Sequence, residues 1–288
     1  MGAALAQALV NGVITGSMIA IPAVGFTLIF AVLRYLSFAV AAYITVGAFA
    51  GWYVNYDLGG GLVPMLLAAA VVSAAVGVAV EQGALSSLRA GGPLTVTIGS
   101  IAANLVIENM IRFFIGNDLK GFDLPLLPDM RFGEVRMGAQ QIENLAIAII
   151  LMTAVFAFLR YTRFGRAMRA VADNPDLARL KRIDPRRVAT VAVALGAGLA
   201  GVGGVLLGAD TSIDPLAGYR ILLSVFAAAV LGGLGSVPGA VLGALTISIA
   251  EEVALLGIPA TYRDGVGFLA ILLMLTFRPR GLLGERAV

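Results

Sequence analysis

Long stretches without a charged residue constrain this chain more than any other feature of its sequence. Residues 3–33 and 62–80 contain no Asp, Glu, Lys or Arg, and a helix needs about 20 mostly apolar residues to cross a bilayer. Only 13% of all residues are charged, against about 25% in soluble domains. We therefore predict an all-α polytopic membrane protein that forms a single transmembrane domain over residues 1–288.

Hydropathy and helix-breaking residues divide the chain into roughly eight to nine crossings of about 20 residues each. The predicted spans are 5–33, 37–56, 62–88, 94–115, 142–159, 188–209 and 264–277. The remaining apolar segment, 221–254, is predicted to enter and return as a broken hairpin. Its sequence GGLGSVPG at 232–239 cannot continue a regular helix, because it combines four glycines with a proline.

The basic residues are concentrated in one segment, which indicates how the chain is oriented. Residues 160–187 hold nine of the twenty Lys and Arg residues. Because Lys and Arg resist translocation, this segment and the Arg-containing C-terminal tail are predicted to be cytoplasmic. The loop 116–141 mixes acidic and basic residues and is predicted to be external. This arrangement places the N-terminus outside and the C-terminus inside.

The basic segment also has the pattern of a folded unit. Asn-Pro-Asp at 174–176 supplies an N-cap, a proline at the first helical position and an acid near the positive end of the helix dipole. Leu177, Leu180 and Ile183 follow at three-residue spacing and predict a short helix with an apolar side and a cationic side. Such a unit suits docking to another protein. A solvated loop that only orients the chain is the alternative.

Three segments of the chain share their patterns with one family of membrane proteins. Residues 161–208 contain the sequence GRAMRA, a short helix and a span rich in small residues. Residues 228–253 combine a Gly-rich segment with an Ala-Glu continuation, and residues 11–49 form the first two predicted helices. In all three segments the chain resembles the permeases of branched-chain amino acid ABC importers. The resemblance covers nearly the whole chain and is closest to the H-type permease.

The resemblance implies a permease subunit of an ABC importer that translocates a branched-chain or other amino acid, or a related compound. The implied partners are a second permease chain (heterodimer or homodimer), two cytoplasmic ABC ATPases, a periplasmic or lipoprotein solute-binding protein, and membrane lipid. A Walker A loop requires Gly-Lys-[Ser/Thr], whereas Lys120 and Lys181, the only lysines, both follow leucine. We therefore expect no cofactor on this chain, with ATP and Mg²⁺ held by the partner ATPases. The resemblance implies that this chain itself is a multi-pass protein of the bacterial cytoplasmic (inner) membrane.

Two groups of residues are predicted to carry this function. The coupling segment 160–187 is expected to contact the ATPases through Gly165, Arg166, Arg169, Ala170, Asp173, Asp176, Leu177 and Leu180. The translocation path is expected to include Ser37, Phe38, Thr97, Ser100, Asn104, Glu108, Gly232, Gly233, Gly235 and Ser236. Polar groups within apolar spans are candidates for function because they are costly there.

A structural alternative exists for each predicted path residue. Glu108 can pair with Arg112 four residues later on the same helix face. Serine and threonine hydroxyls commonly bond back to helix carbonyls. The Gly-rich break is either a re-entrant turn that exposes backbone groups to the path or a plain turn between two helices.

The chain departs from the family pattern at two places. Val-Ala-Ala at 40–42 replaces His-Gly-Glu at the start of the second helix. Because apolar residues replace polar ones, we predict a translocation path with fewer groups that can hydrogen-bond a solute. The cargo could therefore also be urea, an amide or a carboxylate. Arg182 stands where the family has the glycine of a Gly-Ile-Asn turn, so the geometry of that turn is open.

Two other classes of protein fit the sequence less well than a permease. An ion-coupled secondary transporter or channel acting alone needs a proton or ion relay, and a chain without His lacks the commonest proton shuttle. A membrane enzyme needs catalytic or metal-binding groups, and the chain has no Cys, no His and no clustered Asp. We predict no catalytic residue and no metal site, and no nucleic acid, because the basic residues are not interleaved with aromatic ones.

Overall fold

The computed structural model describes residues 2–124, 130–132, 135–278 and 281–283, apart from the side chains of Arg131, Phe132 and Asp264. The helices are α1 Gly2–Leu33, α2 Val40–Tyr56, α3 Leu62–Val80, α4 Ser86–Leu88, α5 Pro93–Ile115, α6 Ala139–Tyr161, α7 Arg163–Asp173, α8 Pro175–Leu180, α9 Pro185–Asp210, α10 Ala217–Gly232, α11 Val237–Ala254 and α12 Arg263–Phe277. A π turn and a 3₁₀ turn flank α4 and continue α3 as far as Gly91, and a 3₁₀ turn, Ala260–Tyr262, precedes α12. Strands β1 Met130–Phe132 and β2 Val135–Met137 form an antiparallel hairpin.

Seven of the described helical segments are long and apolar enough to cross a membrane. They are Gly2–Leu33, Leu62–Gly91, Pro93–Ile115, Ala139–Tyr161, Pro185–Asp210, Val237–Ala254 and Ala260–Phe277. The helices α2 and α10 are shorter, at 17 and 16 residues. The predicted class, an all-α polytopic membrane protein, is confirmed.

The predicted break in 221–254 is present, because α10 ends at Gly232 and α11 begins at Val237. The second predicted span begins later than expected. Residues 34–39 are not helical and α2 starts at Val40. The substituted residues Val40, Ala41 and Ala42 therefore form the first turn of α2, and all three are buried.

The centre of the bundle is formed by α1 and α9, which approach through glycine. A Cβ on Gly196 would lie 2.6 Å from the carbonyl oxygen of Gly25, closer than van der Waals contact permits. Farther along, Gly203 of α9 faces Pro22 of α1. Residue numbers rise along one helix as they fall along the other, so the two helices are antiparallel.

The helices that follow α1 and the helices that follow α9 pack in the same way, with their directions reversed. The main neighbour of α1 is α11, and the main neighbour of α9 besides α1 is α3. A non-helical linker follows each central helix, 34–39 before α2 and 211–216 before α10. Transporters built from inverted repeats show such interrupted helices.

The bundle has two ends. We call the end at which α7 and α8 lie the basic end, and the end at which the β1–β2 hairpin lies the loop end.

Candidate functional site

The helix α7 is fixed against the end of α6 by close backbone contact. The hydroxyl of Thr162 caps α7 by accepting a hydrogen bond from the backbone N–H of Gly165 at 3.0 Å. A Cβ on Gly165 would collide with the backbone of Leu159, which explains glycine at this position. The guanidinium of Arg169 donates to the carbonyl oxygen of Leu159, so Arg169 fixes the angle between α6 and α7.

The short helix α8 begins as the sequence predicts. The Asn174 side chain accepts hydrogen bonds from the backbone N–H groups of Asp176 and Leu177, both at 3.0 Å. Asp176 then pairs with Arg179 on the exposed side of the helix at 3.3 Å. The cap and the pair hold α8 in a defined position directly after α7.

Arg182 ends α8 in a conformation that usually requires glycine. Its φ is +61°, and the backbone N–H groups of Arg182 and Ile183 donate to the carbonyl oxygens of Arg179 and Ala178 at 2.9 and 3.0 Å. These two bonds form a Schellman motif, in which glycine is the usual left-handed residue. The Schellman turn thus forms in this chain with arginine at its left-handed position.

Substituting Arg182 with glycine is expected to stabilise the protein by about 1 kcal/mol, because a left-handed L-residue costs about 1–2 kcal/mol. The midpoint of thermal unfolding of the detergent-solubilised protein measures this change. Arg182→Ala is the matched control: it shortens the side chain but keeps the Cβ that makes the conformation costly. An equal rise in both variants would contradict a backbone origin.

The apolar side of α8 differs from the prediction. Leu177 and Leu180 were expected to share one side with Ile183, but they are 60% and 79% exposed. Ala178 is buried, and Ile183 packs with it against α7 and α9. The helix ends at Leu180, so the left-handed Arg182 turns Ile183 inwards and leaves the two leucines outside.

The predicted coupling residues therefore divide into anchors and an exposed surface. Gly165 is buried, Ala170 is half-buried, and Arg169 is engaged with α6. Besides Arg169, which is exposed although its guanidinium is bonded to α6, the exposed members are Arg166, Asp173, Asp176, Leu177 and Leu180. We call these five residues the exposed coupling surface.

The linker 34–39 connects α7 to the interior of the bundle. The guanidinium of Arg34, whose φ is +57°, donates to the carbonyl oxygen of Ala172 in the last turn of α7 at 2.6 Å. The neighbouring Tyr35 hydroxyl donates to the Glu81 carboxylate at 2.7 Å, and Arg89 also pairs with Glu81. Burial and the negative charge of Glu81 raise the pKa of Tyr35, so its hydroxyl remains a proton donor.

The end of the same linker brings together four of the predicted path residues. The backbone N–H of Phe38 donates to the Ser100 hydroxyl at 3.0 Å, and that hydroxyl donates to the Thr97 carbonyl at 2.7 Å. Ser37 and Ser100 are both buried, and the Phe38 ring stacks on Phe226 with centroids 6.1 Å apart. These contacts join the linker to α5 and α10.

Asn104 and Glu108 continue the Ser100 face of α5 towards the loop end. They are buried at four-residue intervals, whereas most other residues of α5 are exposed or half-buried. Glu108 pairs with Arg112 at 2.7 Å. The polar face that the sequence predicts is therefore present, with its carboxylate held in an ion pair.

The glycine turn lies apart from these residues. Gly232, Gly233, Gly235 and Ser236 join α10 to α11, and the Ser236 hydroxyl caps α11 by accepting from the Gly239 N–H at 3.2 Å. The backbone N–H groups of Leu282 and Leu283 donate to the carbonyl oxygens of Leu231 and Gly232 at 2.8 and 3.0 Å. The turn has its own backbone partners, an arrangement that favours a plain turn between helices.

At the loop end, the structure adds a cavity that the sequence reasoning missed. Its volume is about 290 Å³. Its charged lining residues are Asp210, Arg220, Glu251 and Arg263. Across the described residues, no group of three or more His, Cys, Asp or Glu side chains is placed to hold a metal ion.

Together, the apolar helices and the capped helix pair α7–α8 at the basic end define a polytopic membrane protein. The family of branched-chain amino acid transport system permease components matches residues 8–275. The chain belongs to this family and is a membrane permease subunit of an ABC importer, as the resemblance predicted.

Individual relatives match over nearly the whole chain. It is 33% identical to the high-affinity branched-chain amino acid transport system permease protein BraD of Pseudomonas aeruginosa, over 98% of this chain and 96% of the relative. It is 31% identical to LivH of Escherichia coli K12, with the same two coverages. In fold it is similar to PsaBC from Streptococcus pneumoniae, solved in complex with a Fab, with a TM-score of 0.51 and 10% identity over 94% of this chain and 91% of that chain.

Proposed function

We propose that this chain imports a small amino acid or a related compound across the bacterial cytoplasmic membrane, as the permease subunit of an assembly that contains two ATPases. The observation that carries the proposal is the exposed coupling surface on a rigidly anchored helix pair. A solvated loop has no need to cap both α7 and α8, to fix α7 against α6 through Gly165, or to present leucine to water.

The proposed mechanism passes nucleotide-driven movement from the ATPases to the membrane helices. ATP and Mg²⁺ act on the partner subunits, and this chain has no catalytic role of its own. Movement of α7 and α8 reaches the linker 34–39 through the bond between Arg34 and Ala172. From there, Tyr35 acts on α3 through Glu81, and Phe38 acts on α5 and α10 through Ser100 and Phe226. A second permease chain and an external solute-binding protein complete the assembly.

The proposed orientation can be tested with single cysteines, because the natural chain has none. Leu180→Cys lies at the basic end and Leu119→Cys at the loop end, and both positions are exposed. In intact spheroplasts, a membrane-impermeant maleimide is expected to label the cysteine at position 119 and not the one at position 180. After the cells are opened, both should react. Labelling of position 180 in intact spheroplasts would refute the orientation.

The energy source is tested by reconstitution. The chain is co-expressed with a partner permease and the ATPases, and the purified assembly is placed in proteoliposomes with the solute-binding protein outside. Uptake of radiolabelled leucine is expected only with ATP and Mg²⁺ on the ATPase side. Uptake by this chain alone, driven by a proton or sodium gradient, would contradict the proposal and favour a secondary transporter.

A further inference from the structure

The cavity at the loop end has an aliphatic wall and a charged rim. Its aliphatic wall includes Met18, Ile19, Ile44, Leu207, Ile213 and Ile221. None of the described residues that line it is aromatic. Pockets for drug-sized ligands measure roughly 300–1,000 Å³. A volume of about 290 Å³ therefore suits a molecule with few heavy atoms and a short aliphatic chain.

The charged residues of the rim are balanced in sign. Asp210 and Glu251 contribute two carboxylates, and Arg220 and Arg263 contribute two guanidinium groups. A ligand with only one charge would add a net charge to this balanced rim, and an uncompensated charge in a partly dry site is costly. A ligand that carries one ammonium group and one carboxylate group matches the rim.

Glu251 is built into the site as a buried carboxylate. It is 1% exposed, accepts a hydrogen bond from the Ser224 hydroxyl at 3.0 Å, and pairs with Arg263 at 3.3 Å. Arg263 also pairs with Glu252 at 2.9 Å. If a ligand ammonium group approaches Glu251, Arg263 keeps Glu252 as a carboxylate partner. Ligand binding therefore leaves the Arg263 guanidinium paired.

Arg220 occupies the rim on α10. It pairs with the buried Asp214 of the linker 211–216, and its guanidinium offers five N–H donors in a planar fork. The hydroxyls of Thr211 and Ser212 line the same cavity. These donors suit a carboxylate.

We propose that this cavity is a binding site within the permease chain for a zwitterionic aliphatic amino acid, with Glu251 facing its ammonium group and Arg220 its carboxylate. The inference rests on the proposed import of an amino acid and places one stage of it in this chain. Asp210 also lines a second, polar cavity of about 380 Å³ beside Gln7, Asn11 and Arg136. The two cavities share Asp210 as a lining residue, so the second adjoins the first.

The test measures ligand binding to the assembled permease–ATPase complex in lipid nanodiscs, without the solute-binding protein. The probes are radiolabelled L-leucine, isovalerate, which lacks the ammonium group, and isoamylamine, which lacks the carboxylate. Leucine is expected to bind, and each analogue to bind at least about tenfold more weakly, since a site with dedicated polar partners discriminates against their absence.

The matched pair of variants is Glu251→Gln and Glu252→Gln. Each removes one carboxylate partner of Arg263, but only Glu251 lines the cavity. Glu251→Gln is expected to lower leucine affinity about tenfold, the effect of roughly 1.4 kcal/mol, and to leave isovalerate binding unchanged. Glu252→Gln should stay within twofold of the natural protein. Equal losses in both variants would overturn the site.

A second variant, Ile221→Phe, tests the site without removing a buried charge. Ile221→Phe fills part of the aliphatic wall and is expected to lower leucine affinity while alanine affinity is kept. Equal loss of both ligands would contradict the assigned wall. If the complex binds no leucine but still shows ATP-driven uptake of another solute, this inference fails and the proposed function stands. If uptake needs no ATPase, the proposed function fails instead.

Discussion

Replacing Leu177 and Leu180 together with aspartate is expected to lower ATP-driven uptake at least about a hundredfold. Both side chains are largely exposed on α8, where docking to an ATPase would bury them. Burial of a leucine is worth about 1.5–3 kcal/mol, and each 1.4 kcal/mol is a factor of about ten in affinity. Two leucines therefore account for a loss of roughly a hundredfold or more before the cost of burying aspartate is counted.

The measurements are uptake into proteoliposomes and co-purification of the ATPases with the permease. The control is Leu58→Asp, a single change of the same kind at an exposed leucine in the connection between α2 and α3 at the loop end. The free energy of unfolding should change by less than about 0.5 kcal/mol in each case, as at exposed positions generally. Retained ATPase binding and uptake in the double variant would remove the exposed coupling surface from the mechanism.

Local signals in the sequence account for much of the fold. Apolar length predicts the spans, and the break at 232–239 separates α10 from α11. The pattern Asn-Pro-Asp predicts the start of α8, where Asn174 caps the helix through its own backbone neighbours. Such features are readable because the interacting groups lie within a few residues of one another.

The exposed position of Leu177 and Leu180 was missed for a local reason. Three-residue spacing puts them on the side of Ile183 only if the helix continues through that residue. Arg182 ends the helix with a left-handed backbone conformation. Glycine is the usual residue in that conformation, so an arginine in the sequence gives no sign that the helix ends there. A side assignment based on periodicity therefore fails beyond the end of the helix.

The cavity was missed because its parts are distant in the chain. Arg220, Glu251 and Arg263 come from three helices, and the wall adds residues of α1, α2 and α9. The sequence places Glu251 and Glu252 side by side and gives no sign that only the first lines the cavity. The repeated packing of the two halves is equally hidden, because helices in lipid keep apolar and small residues in many interchangeable orders.

The linker 34–39 provides the second large expected effect. Arg34→Gly is expected to lower the number of solute molecules imported per ATP about tenfold, while ATPase binding stays intact. The substitution keeps the left-handed backbone accessible and removes the side chain that donates to Ala172 at 2.6 Å. A hydrogen bond from a charged group is worth about 1.5–3 kcal/mol, so its loss separates the movement of α7 from that of the linker.

Arg182→Gly is the matched control, because Arg182 has nearly the same φ but ends α8 on the exposed surface. Both substitutions remove the strain of a left-handed non-glycine residue. Only Arg34→Gly also removes the side-chain hydrogen bond to α7. Arg34→Lys should restore part of the coupling, because lysine can still donate one charged hydrogen bond to the carbonyl oxygen. If Arg34→Gly and Arg182→Gly import equally well per ATP, movement of α7 reaches the bundle by its packing on α6, α9 and α1 and not through the linker.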